Sequence, residues 1–165
     1  YEYYPQRGKY YNDGHRNCNI SINPETKHNN ICPVCKKQLT IGTGTRVEQL
    51  ADRPASEAQP LIQPFKYVLP LPEIISEIVG FSEDSLKVKM AYTKAISAFG
   101  NEFTILHQAS LNDLHNYDRK LGIAVERLRE DKKHFTTGYD GIHGQISFFE
   151  ENELRQLKPA QMELF

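Results

Sequence analysis

Between residues 66 and 149 the apolar positions recur at helical spacing. In LPEIISEIV, residues Leu71, Ile74, Ile75, Ile78 and Val79 fall at i, i+3, i+4, i+7 and i+8, one face of a helix. Gly80 is the residue type at which such a helix ends. Ser82 reads as the next N-cap, with Glu83 and Asp84 in the first turn, where carboxylates suit the helix dipole. Val88, Tyr92, Ala95, Ile96 and Phe99 form a second stripe, closed by Gly100. EFTIL fits a strand or a helix equally well. Ser110 to Asp113 makes a weak capping box, and Leu121, Ala124, Val125 and Leu128 make a third stripe. All three stripes read as core.

The pattern changes in HFTTGYDGIHGQISFF. Gly138, Gly141 and Gly144 separate short polar and aromatic segments, and Ile146 and Phe148 alternate with Gln145 and Ser147. That predicts a hairpin entered through a tight loop, with Asp140-Gly141 as a turn pair. Upstream, RPASEAQPLIQPF carries Pro54, Pro60 and Pro64, which resist helix and predict an extended connector. The expected fold class is therefore α+β. A small zinc-ribbon or knuckle module occupies residues 1–54 and a Pro-rich connector 55–65. A mostly helical domain then runs over 66–149, ending in the GYDG loop and hairpin, followed by a charged, flexible tail at 150–165.

The chain has three cysteines, and the chemistry of the first module turns on them. Cys32 and Cys35 form CPVC, and three residues before Cys18 stands His15. The pattern His15-x2-Cys18 … Cys32-x2-Cys35 has two knuckle-spaced pairs, each able to aim two donors at one ion, and zinc accepts mixed imidazole and thiolate ligands. A redox dithiol would sit in a strand-helix context, and a disulfide would leave one cysteine over. We therefore expect one structural Zn2+ on His15, Cys18, Cys32 and Cys35. With four protein donors it has no open position for a nucleophilic water. TIGTGT lacks the Gly-Lys-Ser/Thr ending of a phosphate loop and any obvious following helix, so it reads as a turn.

Charge adds an asymmetry that the net value of −1 hides. Residues 1–54 carry eight Lys/Arg against five Asp/Glu, whereas residues 150–165 carry two against four. Arg7, Lys9, Arg16, Lys36, Lys37 and Arg46 are interleaved with Tyr3, Tyr4, Tyr10 and Tyr11, a mixture suited to phosphates on the cations and bases on the rings. No apolar run approaches the roughly 20 residues needed to span a bilayer, and no signal peptide opens the chain. We expect a cytoplasmic, nucleoid-associated protein without a membrane partner. The start at Tyr1, without methionine, reads as a piece of a longer protein.

GKYYNDGHRNC, CPVCKKQLTIG, RVEQLADRP, GNEF and GYDGIHG together resemble, in order and approximate spacing, the C-terminal half of bacterial proteins similar to endonuclease Q. It departs at His15, where archaeal members tend to carry cysteine. That family joins a PHP-type metal-dependent phosphoesterase domain to a zinc module and a helical region, and nicks DNA 5′ of deaminated bases such as hypoxanthine and uracil. The resemblance implies DNA, in particular damaged duplex, as a partner, an upstream PHP domain, and catalytic divalent metals held there. Histidines 15, 28, 107, 115, 134 and 143 form neither His-x-His nor Asp-x-His, so no catalytic residue is assigned in this chain. An enzyme acting beside a damaged base must unstack it. Tyr139 is therefore expected to stack on the flipped nucleotide and Asp140 to accept a hydrogen bond from it. The rival reading is a free-standing zinc-ribbon adaptor for protein partners.

The chain ends in QMELF, similar to peptides that dock on the bacterial sliding clamp. Leu164 and Phe165 would fill an apolar pocket, Met162 would lie along its edge, and Gln161 would hydrogen-bond at a second subsite. The polar, Pro159-containing segment before it would serve as the tether.

Overall fold

The computed structural model describes residues 1–58, 63–150 and 152–157. It is an α+β structure of two compact units, Tyr1–Val68 with Phe135–Ile146, and Leu69–His134 with the chain from Ser147 on. The GYDG loop, read from sequence as the end of the helical domain, thus belongs with the N-terminal unit. No described helix is long and apolar enough to cross a membrane.

In the first unit, β1 (Glu2–Tyr3) pairs in parallel with β4 (Tyr67–Val68), Glu2 opposite Tyr67. β2 (Asp13–His15) pairs antiparallel with β3 (Ile20–Ile22), Asp13 opposite Ile22, and a 3-10 turn at Arg16–Cys18 joins them. α1 (Thr43–Leu50) starts inside the TIGTGT segment, so the turn reading is corrected. The sequence gives no sign of it because its two large apolar residues, Val47 and Leu50, are 62% and 65% exposed, leaving no buried stripe. α2 (Ala55–Ala58) is a single turn within the connector, just after Pro54, whose carbonyl accepts from Glu57 N. Proline is tolerated at a helix start, which is why its presence did not exclude this turn.

The second unit follows the apolar stripes closely. α3 (Leu71–Val79) buries Leu71, Ile74 and Ile75 and ends at Gly80 in the left-handed region, φ 70°. α4 (Leu86–Phe99) buries Val88 and Ala95. Its cap is Ser85, not Ser82. Residues 82–85 close a turn through Ser85 N and Ser82 O, which leaves Glu83 and Asp84 ahead of the helix, and the Ser85 hydroxyl accepts from Val88 N at 3.3 Å. EFTIL resolves as a π-helical turn over Thr104–Gln108, with Ile105 and Leu106 buried. The Arg129 guanidinium satisfies the carbonyls of Ile105, Leu106 and Ala109 at 2.8–3.0 Å. Glu102, the acid of GNEF, caps α3 by accepting from Leu71 N at 2.7 Å and from the Tyr92 hydroxyl at 3.2 Å.

α5 (Leu111–Tyr117) has the expected Ser110 cap, accepting from Asp113 N. α6 (Arg119–Arg129) buries the third stripe, and Asp118 caps it by accepting from Lys120 N and Leu121 N. The predicted hairpin is β5 (His134–Thr136) with β6 (Gln145–Ser147). Beyond it, Glu77 accepts from Phe148 N and Phe149 N. Part of the expected flexible tail is instead ordered as α7 (Glu153–Gln156), held by a two-pronged Arg127–Glu153 pair at 2.5 and 2.8 Å.

Candidate metal centre and nucleic-acid interface

The first unit brings His15, Cys18, Cys32 and Cys35 together, with one donor atom from each lying within 4.8 Å of the others. Cys35 Sγ stands 3.7 Å from His15 Nδ1. A tetrahedral zinc with Zn–S near 2.3 Å and Zn–N near 2.0 Å separates its ligands by about 3.5–3.8 Å, which the His15–Cys35 spacing matches, and the donor set of one imidazole and three thiols is one that zinc accepts.

Backbone geometry explains the spacing. His15 ends β2, and Cys18 closes the 3-10 turn that follows. The second pair sits in a knuckle where Cys32 O accepts from Lys36 N at 3.0 Å and Cys32 N donates to Lys37 O at 2.8 Å. The residue after each pair, Asn19 and Lys36, takes a left-handed conformation, φ 53° and 62°, which ends each turn just past its second donor. In the bare cluster, burial and the neighbouring thiols of Cys35 and Cys32 push Cys18 up to about 11. Backbone N–H groups of Cys35 and Val34 hold Cys32 below its ordinary value. A Cys18 thiol raised in this way keeps its proton, and a metal that binds it must displace that proton.

Sequence reasoning missed a second polar knot. Asp13 is fully buried and accepts from Gly42 N at 2.5 Å, anchoring the start of α1, and it meets His28 Nε2 at 2.7 Å. His28 Nδ1 accepts from Asn30 N, so Nε2 is the nitrogen that carries the proton toward the carboxylate. Nothing in the spacing of a lone Asp and a lone His announces this pair. A buried carboxylate has to be satisfied in this way.

The GYDG loop clasps the metal module. Three of its glycines donate backbone N–H groups to one N-terminal stretch: Gly138 to Gln6 O, Gly144 to Arg7 O and Gly141 to Lys9 O, at 2.8–3.0 Å, while Asn12 N returns a bond to Gly138 O. A Cβ at Gly138 would stand 2.2 Å from Gly8 O, so the close approach that glycine permits here is to the protein's own backbone. Tyr139 and Ile142 exchange both backbone hydrogen bonds around Asp140 (φ 40°) and Gly141 (φ 89°). Two successive positive φ values make this the primed turn that the Asp-Gly pair predicts.

The loop's side chains are engaged within the unit. Tyr139 is 9% exposed, its ring lies over Gly14, and its hydroxyl donates to Asn19 Oδ1 at 2.7 Å. Asp140 accepts from Thr40 Oγ1 at 2.6 Å and from Arg16 N at 2.7 Å, and these bonds hold it below the usual carboxylate range. Both side chains are bonded to residues of the knuckle hairpin and its neighbours, Asn19, Arg16 and Thr40.

The cationic candidates separate into groups. Lys9, Tyr10 and Arg16 converge at the loop: Lys9 Nζ lies 5.5 Å from the Tyr10 ring centroid, and a Cβ at Gly141 would stand 3.3 Å from Arg16 Nη1 and 3.9 Å from the Tyr10 hydroxyl. Lys36 bonds back to Pro33 O at 2.9 Å within the knuckle, Lys37 is exposed beside it, and Arg46 reaches Gln49 on α1. Arg7 is half-buried. Of the expected exposed tyrosines, Tyr3 and Tyr10 are exposed, but Tyr4 is buried and stacked on Tyr67 at 4.3 Å. Gln161, Met162, Leu164 and Phe165 lie outside the described residues.

Comparison with solved structures gives this architecture a counterpart. The lesion-specific endonuclease PfuEndoQ from Pyrococcus furiosus matches with a TM-score of 0.75 at 23% identity, over 94% of this chain and 38% of that one. The chain has the fold of a segment of Endonuclease Q. A structure of Endonuclease Q in complex with a 27-mer duplex substrate, with an abasic lesion at the active site, matches at 0.71 and 23%, over 94% and 40%. By sequence, residues 70–132 match the family model described as MJ0043 C-terminal domain. The uncharacterized protein MJ0043 of Methanocaldococcus jannaschii is 29% identical over 146 residues, which are 87% of this chain and 18% of that protein. The chain thus spans well under half the length of the relatives it matches.

Proposed function

We propose that this chain is the DNA-binding, lesion-positioning part of a PHP-type endonuclease that nicks DNA 5′ of deaminated bases. The observation that carries this reading is the structural likeness along 94% of the chain to Endonuclease Q, one example of which holds a duplex with an abasic lesion. The convergence of Lys9, Tyr10 and Arg16 on a metal-held surface supports it, since cations beside an exposed ring suit a nucleic-acid strand. In this account zinc on His15, Cys18, Cys32 and Cys35 is structural. The hydrolytic metals belong to an upstream PHP domain, and phosphate contacts position the duplex without reading its sequence.

The test is binding of this chain to duplex DNA as a function of salt. A DNA-binding module should show log affinity falling linearly with log salt concentration. A protein adaptor would show no binding or no slope. Restoration of nicking when the chain is joined to a PHP domain would address the cleavage part separately. The clamp peptide Gln161–Phe165 is retained as a proposal. Replacing Leu164 and Phe165 by alanine should abolish sliding-clamp binding, and equal binding by both forms would remove that partner.

A further inference from the structure

In the GYDG loop the residues named by the sequence face inward, which leaves a different pair facing out. Ile142 is 41% exposed and His143 is exposed. A single exposed isoleucine is ordinary on a protein surface. What distinguishes this one is its mounting. It closes a primed turn whose next residue toward the N-terminus, Gly141, is bonded to Lys9 O, and whose Asp140 is bonded to Arg16 N and Thr40. The turn is thus tied at three points to the metal module, and the conformational freedom that DNA binding would otherwise have to remove is already gone.

The surroundings are also specific. Arg16 and the Tyr10 hydroxyl flank Gly141 directly, and Lys9 sits over the Tyr10 ring. Among the described residues, neither Lys9 nor Arg16 forms an ion pair: Asp140, the one acid in the turn, feels the Arg16 charge but spends its hydrogen bonds on Thr40 and the Arg16 backbone. An apolar side chain on a rigid turn, flanked by two cations and an exposed aromatic ring, is the arrangement with which proteins pry apart a base step.

We infer that Ile142 is a strand-opening wedge. It inserts into the base stack beside the lesion, Arg16 and Lys9 hold the phosphates on either side, and Tyr10 stacks on the base thereby exposed. The ligand is duplex DNA with a weakly stacked or missing base, where unstacking costs least. This rests on the DNA-binding reading above but assigns the insertion to a residue outside it.

The test uses the whole zinc-loaded chain with two readouts on one probe, a duplex carrying an abasic site next to 2-aminopurine. Anisotropy reports affinity and 2-aminopurine fluorescence reports unstacking. Wild type should bind and raise the fluorescence. Ile142→Ala should bind with similar affinity but lose most of the rise. Tyr10→Ala should partly reduce it. Lys9→Ala and Arg16→Gln should each weaken binding and lower the salt slope by about 1. Zinc content measured on every variant excludes those with a damaged knuckle. Wild-type binding with no fluorescence rise, or a full rise with Ile142→Ala, overturns the wedge while leaving DNA binding standing. Absence of wild-type binding overturns both.

Discussion

Among the described residues, the helical unit buries fifteen hydrophobic side chains, from Leu69 through Phe149, whereas the N-terminal unit buries four: Tyr4, Cys32, Leu39 and Tyr139. Burial of apolar surface is the main favourable contribution to folding, and the second unit has a core that supplies it. The first has little core, and adds to it the Cys3His cluster, the Asp13–His28–Gly42 knot and a loop fastened by backbone hydrogen bonds. The difference teaches where function can sit. A unit held by a Cys3His cluster and backbone bonds leaves its surface side chains free for a ligand, and it is this unit that gathers Lys9, Tyr10 and Arg16 around one turn.

The largest expected effect separates the units outright. Cys35→Ser should cost the first unit its fold, because apparent zinc affinities of about 10–16 kcal/mol are folding energy in such modules. Limited proteolysis should then cut within residues 1–54 while the helical unit stays resistant. Protease resistance of both would break the comparison. The reverse perturbation is Ile105→Ala, which leaves a cavity in the helical unit and should destabilise it by about 2–5 kcal/mol. Its melting temperature should fall with zinc still bound at one per chain, and loss of zinc would mean the units are not independently supported. Asp13→Ala strands the Gly42 N–H and the His28 ring, at a cost of about 1–3 kcal/mol. Urea unfolding of the zinc-loaded chain should register it in the first unit alone.

Acid should act on the helical unit in two opposing ways. The Arg127 guanidinium holds Glu153 below the usual carboxylate range, so the stability this pair adds is present above the unfolded value and lost as pH falls through the lower folded one. Burial raises Glu77 above its ordinary value despite its bonds to Phe148 N and Phe149 N. Its native state takes up a proton first, so between the unfolded and folded values acidification favours the folded form. Carboxyl NMR titration should therefore show Glu77 protonating at higher pH than Glu153. The reverse order would contradict the burial argument.

What the sequence makes legible follows the same division. The stripes Leu71 to Val79, Val88 to Phe99 and Leu121 to Leu128 became helices because a core against a helix imposes its own period on the chain. The Cys3His cluster was legible for a similar local reason: a knuckle needs two donors at fixed spacing, and both spacings are written in the chain. α1 was not legible, since its start is fixed by Asp13, 29 residues away, and not by an apolar face. The loop shows the boundary most clearly. Its turn is encoded in Asp140-Gly141, but Asp140 bonds to Arg16 across 124 residues, and no local pattern says that Tyr139 and Asp140 face the protein while Ile142 faces out.

The most direct test of the account is DNA binding before and after zinc is stripped from the chain by a chelator, with helical circular dichroism followed on the same samples. The account predicts that salt-dependent binding to an abasic duplex disappears with the metal and returns when zinc is restored, while most of the helical signal persists throughout. Undiminished binding by the zinc-free chain would contradict it, because the surface that holds the DNA would then not depend on the ion that holds the surface.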